Sequence, residues 1–98
     1  MHWDASKITG FDWDSGNLTK NFIKHVVAGE EAEQIFSNVP LKVLFDAVHS
    51  KAELRFRAFG RTNDGRLLAV TFTGRGTLIR IISARPMSRK EKFFYEKS

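Results

Sequence analysis

The sequence predicts an α+β domain in which an antiparallel sheet of four or five strands is flanked by two N-terminal helices and a C-terminal helix. Three observations predict it. Glu53-Leu54-Arg55-Phe56-Arg57-Ala58-Phe59 alternates polar and apolar residues with the period of a half-buried strand. Turn signals at Asn63-Asp64-Gly65 and Thr73-Gly74-Arg75-Gly76 divide the region after it into short strands of a meander. Helical spacing of apolar residues occurs before that region, and an S-x-x-E cap follows it.

Residues 1–8 read as a flexible N-terminal tail. Thr9 to Trp13 is a short aromatic strand, and Asp14-Ser15 can cap the amides of a helix over residues 16–25. There Leu18, Phe22 and Ile23 recur near a helical period, with Lys20 and Lys24 four apart on another face. Val26 to Gly29 breaks the pattern. A second helix over 30–36 carries two acids in its first turn and ends near Ser37-Asn38, before Pro40. Leu41 to Asp46 reads as a strand and Ala47 to Ala52 as a polar connection. After the alternating strand come strands over 67–73 and 77–84, the latter apolar on both faces and so placed inside the sheet. Ser88-Arg89-Lys90-Glu91 then opens the last helix.

The chain of 98 residues fits one domain, and its 42% apolar content with nine Phe supplies a modest core. It contains no Cys, which excludes disulfides, thiolate zinc sites and thiol nucleophiles. No apolar run approaches the roughly 20 residues that span a bilayer, and no signal-peptide pattern is present, so the expected location is cytoplasmic with no membrane partner. Charge is polarised along the chain. Residues 1–50 carry four Lys against seven acids, and residues 51–98 carry twelve Lys and Arg against four acids, including all eight Arg. Guanidinium groups grip phosphate bidentately, so a polyanion is the natural partner; a solvated charged face that keeps a small domain soluble is the alternative.

Glu53, Arg55 and Arg57 share one strand face, and Arg80 sits mid-strand among apolar neighbours. They form either a rigid cationic platform, with Glu53 orienting an Arg or acting as a base, or cross-strand pairs that only stabilise the sheet. Arg85, at a strand end, reaches a ligand at little burial cost. His25 beside Lys24 is a candidate acid or base, or a helix C-cap; His49 in the polar connection and His2 in the tail are weaker candidates. Lys20, Arg57 and Arg61 add to the basic surface, and Trp13 and Tyr95 either stack on bases or anchor the core. The three His lie 23 and 24 residues apart and match no local zinc spacing, and the glycine motifs of nucleotide binding and esterases are absent, so neither metal nor cofactor is expected.

Phe11-Asp12-Trp13-Asp14, Asn21 with Lys24-His25, Glu31-Ala32 with Phe36, Glu53 and Arg55 with Gly60-Arg61, Arg80-Ile81-Ile82-Ser83-Ala84-Arg85, and Glu91 with Tyr95 stand in an order and spacing that resembles the BrnT toxins, relatives of the RelE-like RNases. The resemblance runs from Phe11 to Glu96. It implies a RelE-like fold and a toxin that cleaves mRNA and arrests growth. It also implies an antitoxin similar to BrnA with a ribbon-helix-helix portion, assembled two to two with the toxin and alone responsible for operator DNA contact. Carried over by position, it points to Trp13, Lys24, His25, Glu53, Arg55, Arg80 and Arg85 as the active surface. The expected chemistry is attack by the RNA 2′-hydroxyl, with Arg80 and Arg85 stabilising the phosphorane. Glu53 and His25 would serve as base and acid, with Lys24 or Tyr95 as substitutes. The alternatives are a non-catalytic nucleic-acid-binding or corepressor module and a toxin whose activity has decayed. Two positions depart from the family pattern: Asn17 stands where Lys is common, and Val26 where Gly usually follows Lys-His.

Overall fold

The computed structural model describes residues 5–14, 16 and 26–97. The alternating and apolar stretches become β1 (Gly10–Phe11), β2 (Lys42–Phe45), β3 (Arg55–Arg61), β4 (Leu67–Arg75) and β5 (Leu78–Pro86). They form one sheet in the order β1-β5-β4-β3-β2. Hairpins join β3 to β4 and β4 to β5, with Gly65 (φ 84°) and Gly76 (φ 64°) supplying the left-handed turn positions that residues with a Cβ adopt only at a cost. The sheet is mixed rather than wholly antiparallel, because β1 pairs in parallel with β5. No short turn joins these two strands. The rest of the sheet lies between them in sequence, so the direction of β1 is not tied to that of β5 as it is across a hairpin.

Two α-helices occur among the described residues, α1 (Gly29–Gln34) and α2 (Arg89–Glu96). Of the helix expected over residues 16–25, residues 17–25 lie outside the described residues. Within the stretch read as a tail, Ala5–Lys7 form a 3-10 turn and Ile8 packs against the core. The S-x-x-E signature works as its chemistry predicts: the Glu91 amide donates to Ser88 Oγ at 3.2 Å, and the Ser88 amide donates to Glu91 Oε1 at 2.9 Å.

Each face of the sheet buries its own apolar cluster. On the first face Phe56, Ala58, Leu68, Val70, Phe72, Ile79, Ile81 and Ala84 pack with Val27, Ala32 and Ile35 from α1 and its flanks. Phe36 meets Phe72 edge-on at 5.2 Å between ring centroids. On the second face α2 covers one end, where Phe59, Ala69, Met87 and Tyr95 cluster. The other end of this face is left open, and the arginines stand there.

A β-bulge decides which arginines share that face. Thr71 pairs with Ser83 but Phe72 with Ile81, so Ile82 is an extra residue in β5. Arg80 and Arg85 are an odd number of residues apart, and in a regular strand they would point to opposite faces. The extra residue puts both on the second face. Side chains facing each other across the strands then form rows, Arg55–Thr73–Arg80, Arg57–Thr71–Ser83 and Phe59–Ala69–Arg85.

Two local features shape the backbone around α1. Val26 has φ 54°, a left-handed conformation that favours glycine and strains a β-branched side chain. Its carbonyl accepts from Arg66 Nη1 at 2.9 Å, and the same nitrogen pairs with Glu31 at 3.0 Å, so Arg66 fastens the entry to α1. At Gly60 an added Cβ would stand 2.9 Å from Ile35 Cβ and 3.2 Å from its carbonyl oxygen. Glycine is what lets the end of α1 approach β3.

We therefore expect Val26→Gly to stabilise the fold by about 1 kcal/mol, since relief of left-handed strain exceeds the added chain entropy. Gly60→Ala should destabilise it by roughly 1–3 kcal/mol through overpacking. Denaturant melts of the two variants check both signs; a destabilised Val26→Gly or an unchanged Gly60→Ala would contradict the backbone described.

Candidate active site

On the open end of the second face lies a cleft of about 510 Å³ lined by Arg55 and Arg57 of β3, Thr71 of β4, Ile82, Ser83 and Arg85 of β5, and Asp46, Val48 and His49 of the connection after β2. The strands alternate, so each cationic side chain is carried to the cleft by rigid backbone, while Thr71 and Ser83 offer hydroxyls between them. Like charges do not gather unaided. Glu91, at the start of α2, accepts from Arg85 Nη1 at 2.6 Å and Nη2 at 2.8 Å, and from Arg57 Nη2 at 2.6 Å. One carboxylate thus holds two guanidinium groups, a charge-assisted arrangement with fixed geometry. The hydrogen bonds from Arg85 outweigh the upward pull of burial, and with the Ser88 amide and the charges of Arg85 and Arg57 they bring the Glu91 pKa down to about 2. The same bonds raise that of Arg85.

Arg57 and Arg85 remain open to solvent, with side chains 37% and 38% exposed. Among the described residues no carboxylate lies within ion-pair distance of Arg55. The cleft therefore presents three guanidinium groups, two braced from behind and one unpaired, to any anion that enters.

The rim is built by the loop between β2 and β3. Asp46 Oδ1 accepts the His49 amide at 3.3 Å, and Oδ2 lies 2.9 Å from His49 Nδ1. Ser50 Oγ donates to the Asp46 carbonyl at 2.6 Å and accepts from the Arg55 amide at 2.9 Å. Burial pulls the Asp46 carboxyl upward, but the hydrogen bonds and charge of His49, aided by Arg57, prevail and leave its pKa below the ordinary carboxylate value.

The other expected residues lie elsewhere. Arg80 is on the same face, two strands from Arg55 in the same row, but it is outside the cleft lining; it is paired with Asp14 at 2.8 Å and Asp12 at 3.6 Å, contacts that raise its pKa. Arg57, Arg80 and Arg85 are each paired with an acid, because converging cations on a partly dry face need acids among them. Glu53 does not enter the cleft; it precedes β3 and pairs with Arg75 at 3.3 Å. Arg61, exposed at the far end of β3, borders a separate hollow with Pro40 and Tyr95. Tyr95 is only 4% exposed, and its hydroxyl donates to the Pro40 carbonyl at 2.5 Å, so its ring has no free face for a base and burial raises its pKa. Trp13 packs against the first core and donates from Nε1 to Glu33 at 2.5 Å. Lys20, Lys24 and His25 lie outside the described residues. His49 is a weaker candidate in the sequence; what the sequence does not single out is Asp46 as its partner, or Glu91 as a clamp as well as a cap.

Because Glu91 is less protonated in the folded than in the unfolded protein, its contribution to stability is complete above its ordinary pKa of 4.5 and fades as pH falls toward about 2. The shift corresponds to about 3 kcal/mol, which solvent screening at the half-open arginines reduces to about 1–2 kcal/mol. Glu91→Gln keeps the helix cap and should lower stability by that amount at pH 7, with the difference from the parent vanishing as pH is lowered from 4.5 toward 2. An equal deficit at both ends of the range would contradict the clamp.

Comparison with known proteins gives the family and a similar fold. The model of a family described as the ribonuclease toxin, BrnT, of type II toxin-antitoxin systems matches residues 13–91. Among solved structures, the 1.1 Å crystal structure of the Brucella abortus ribonuclease toxin, BrnT, is similar at a TM-score of 0.62 and 25% sequence identity, covering 82% of this chain and 97% of that chain. A search of curated proteins gave no match. The family match takes in the whole cleft, from the rim at Asp46 and His49 to the clamp at Glu91, and the chain belongs to the BrnT family of ribonuclease toxins of type II toxin-antitoxin systems.

Proposed function

We propose that this chain is an endoribonuclease that cleaves mRNA in the arginine cleft without a metal and is neutralised by an antitoxin similar to BrnA. The convergence of Arg55, Arg57 and Arg85 on one open cleft supports this reading. RNA carries its own nucleophile. The protein has to bend the strand so that the 2′-hydroxyl lies in line with the scissile phosphate, and to stabilise the charge that builds on the phosphate oxygens. Arg55 takes the phosphate on entry. Arg57 and Arg85, already fixed by Glu91, need little reorganisation as the phosphorane forms, which favours the transition state over the ground state.

Arg80 extends the cationic surface along the row of Arg55 and steers the neighbouring stretch of backbone, with its charge shared by Asp12 and Asp14. Lys24 and His25 keep the place in the active surface that the family resemblance implies, Lys20 adds to the basic charge, and the fold is grouped with the RelE-like RNases. The antitoxin inhibits by covering the open sheet face. An acidic or apolar segment seated there shields the guanidinium groups and blocks RNA together, in an assembly of two toxins and two antitoxins whose ribbon-helix-helix portion alone touches operator DNA. None of the helices is long and apolar enough to cross a membrane among the described residues, and the site of action is the compartment that holds mRNA.

Purified protein incubated with end-labelled RNA in EDTA tests the proposal. The expected products end in 2′,3′-cyclic phosphate and 5′-hydroxyl, and Arg55→Ala and Arg85→Ala should each slow cleavage at least about 100-fold while the melting curve stays cooperative. A mobility shift without cleavage would make the protein a binding module instead. Cleavage only when a divalent metal is restored would refute the metal-independent chemistry.

A further inference from the structure

We propose that His49, oriented by Asp46, is the base that takes the proton from the attacking 2′-hydroxyl. The inference rests on the ribonuclease reading above and names the proton acceptor that reading leaves open.

The geometry assigns the task by position. His49 lines the same cleft as Arg55, Arg57 and Arg85. Its side chain is 64% exposed while that of Asp46 is 12% exposed, so the ring reaches outward from a partner that is largely covered. The two oxygens of Asp46 divide their work. Oδ1 accepts the His49 amide and so closes the turn, whereas Oδ2 lies 2.9 Å from Nδ1 of the ring. A turn alone requires the first bond. The second favours the tautomer with Nδ1–H directed to the carboxylate, which leaves the Nε2 lone pair free to accept a proton.

The loop is itself anchored, because Ser50 ties the Asp46 carbonyl to the start of β3 immediately beside Arg55. Proton acceptor and phosphate-binding groups therefore move as one body. Among the described carboxylates proposed or available for this role, Glu53 pairs with Arg75 away from the cleft, and Glu91 is fully engaged by Arg57, Arg85 and the Ser88 amide.

The step balances as follows. The 2′-oxygen forms a bond to phosphorus as its proton passes to Nε2 of His49, and the bond from phosphorus to the 5′-oxygen breaks. The departing 5′-oxygen takes a proton from water, and the hydroxide left behind removes the proton from the imidazolium. The products are a 2′,3′-cyclic phosphate and a 5′-hydroxyl, with the protein unchanged. The charged groups facing His49 are Asp46 on its own loop, Arg55 and Arg57 from β3 and Arg85 from β5, with Glu91 of α2 behind the last two.

The test uses the full chain and a short single-stranded RNA under single-turnover conditions. His49→Gln should lower the rate about 100- to 10,000-fold with little change in RNA affinity. It should also abolish the rise of rate with pH across the range where imidazole loses its proton. His49→Gly should regain at least about tenfold with added imidazole but not with added acetate. Asp46→Asn, which removes a positioning residue, should lower kcat with KM nearly unchanged. His49 variants that cleave as fast as the parent with the same pH profile, while Arg85→Ala is inactive, would overturn the assignment to His49 and leave the ribonuclease reading intact. A parent protein that does not cleave at all would instead remove the ribonuclease reading, and this inference with it.

Discussion

Arginine side chains brought side by side on a sheet repel one another, and their mutual approach here depends on the carboxylate of Glu91. By accepting three short hydrogen bonds from Arg57 and Arg85, it binds β3, β5 and the first turn of α2 at one point. It also completes the cap of α2, the helix that closes the second apolar cluster over Phe59, Ala69 and Met87. A single residue thus couples helix start, sheet face and cleft chemistry. The arrangement resembles a preorganised anion site more than a loose basic patch, since fixed donors lose little freedom when an anion arrives.

The second constraint is the register of β5. Without the extra residue at Ile82, Arg80 and Arg85 would fall on opposite faces, and either one of them or the apolar set Ile79, Ile81 and Ala84 would be misplaced. The bulge keeps both the core and the cationic face intact. Bulges concentrate where a side chain must be re-aimed near a functional site, and this one explains how Arg80 and Arg85, the two ends of the run 80–85, share one surface while Ile81 and Ala84 stay in the core. Gly60 and Val26 act at longer range, setting how closely α1 meets β3 and how the chain enters α1.

Much of this was legible in the residues. Alternation over Glu53 to Phe59 revealed the strand that carries Arg55 and Arg57, the glycine turns gave both hairpins, and Ser88 with Glu91 marked α2, because each rests on local chemistry. Pairing between distant segments was not legible: nothing in Gly10 or Phe11 announces a parallel partner in β5. The bulge was invisible for the same reason, since strand period alone cannot show where a partner skips a residue. Site residues divided along the same line. Strand phase put Arg55 and Arg57 on one face, as their register has it, but it could not decide between stacking and core anchoring for Tyr95, which depends on tertiary packing, nor bring His49 to the cleft, because a loop position gives no phase.

The central claim is that the guanidinium groups of Arg55, Arg57 and Arg85 form one phosphate-binding unit. Titrating a non-cleavable 2′-deoxy oligonucleotide into protein carrying 15N-labelled arginine, and following the Nε–Hε resonances, tests it directly. The account predicts that the resonances of these three arginines shift together, saturate at one oligonucleotide concentration and revert as salt is raised. Shifts confined to Arg61 and Arg89, with the cleft resonances unmoved, would contradict it.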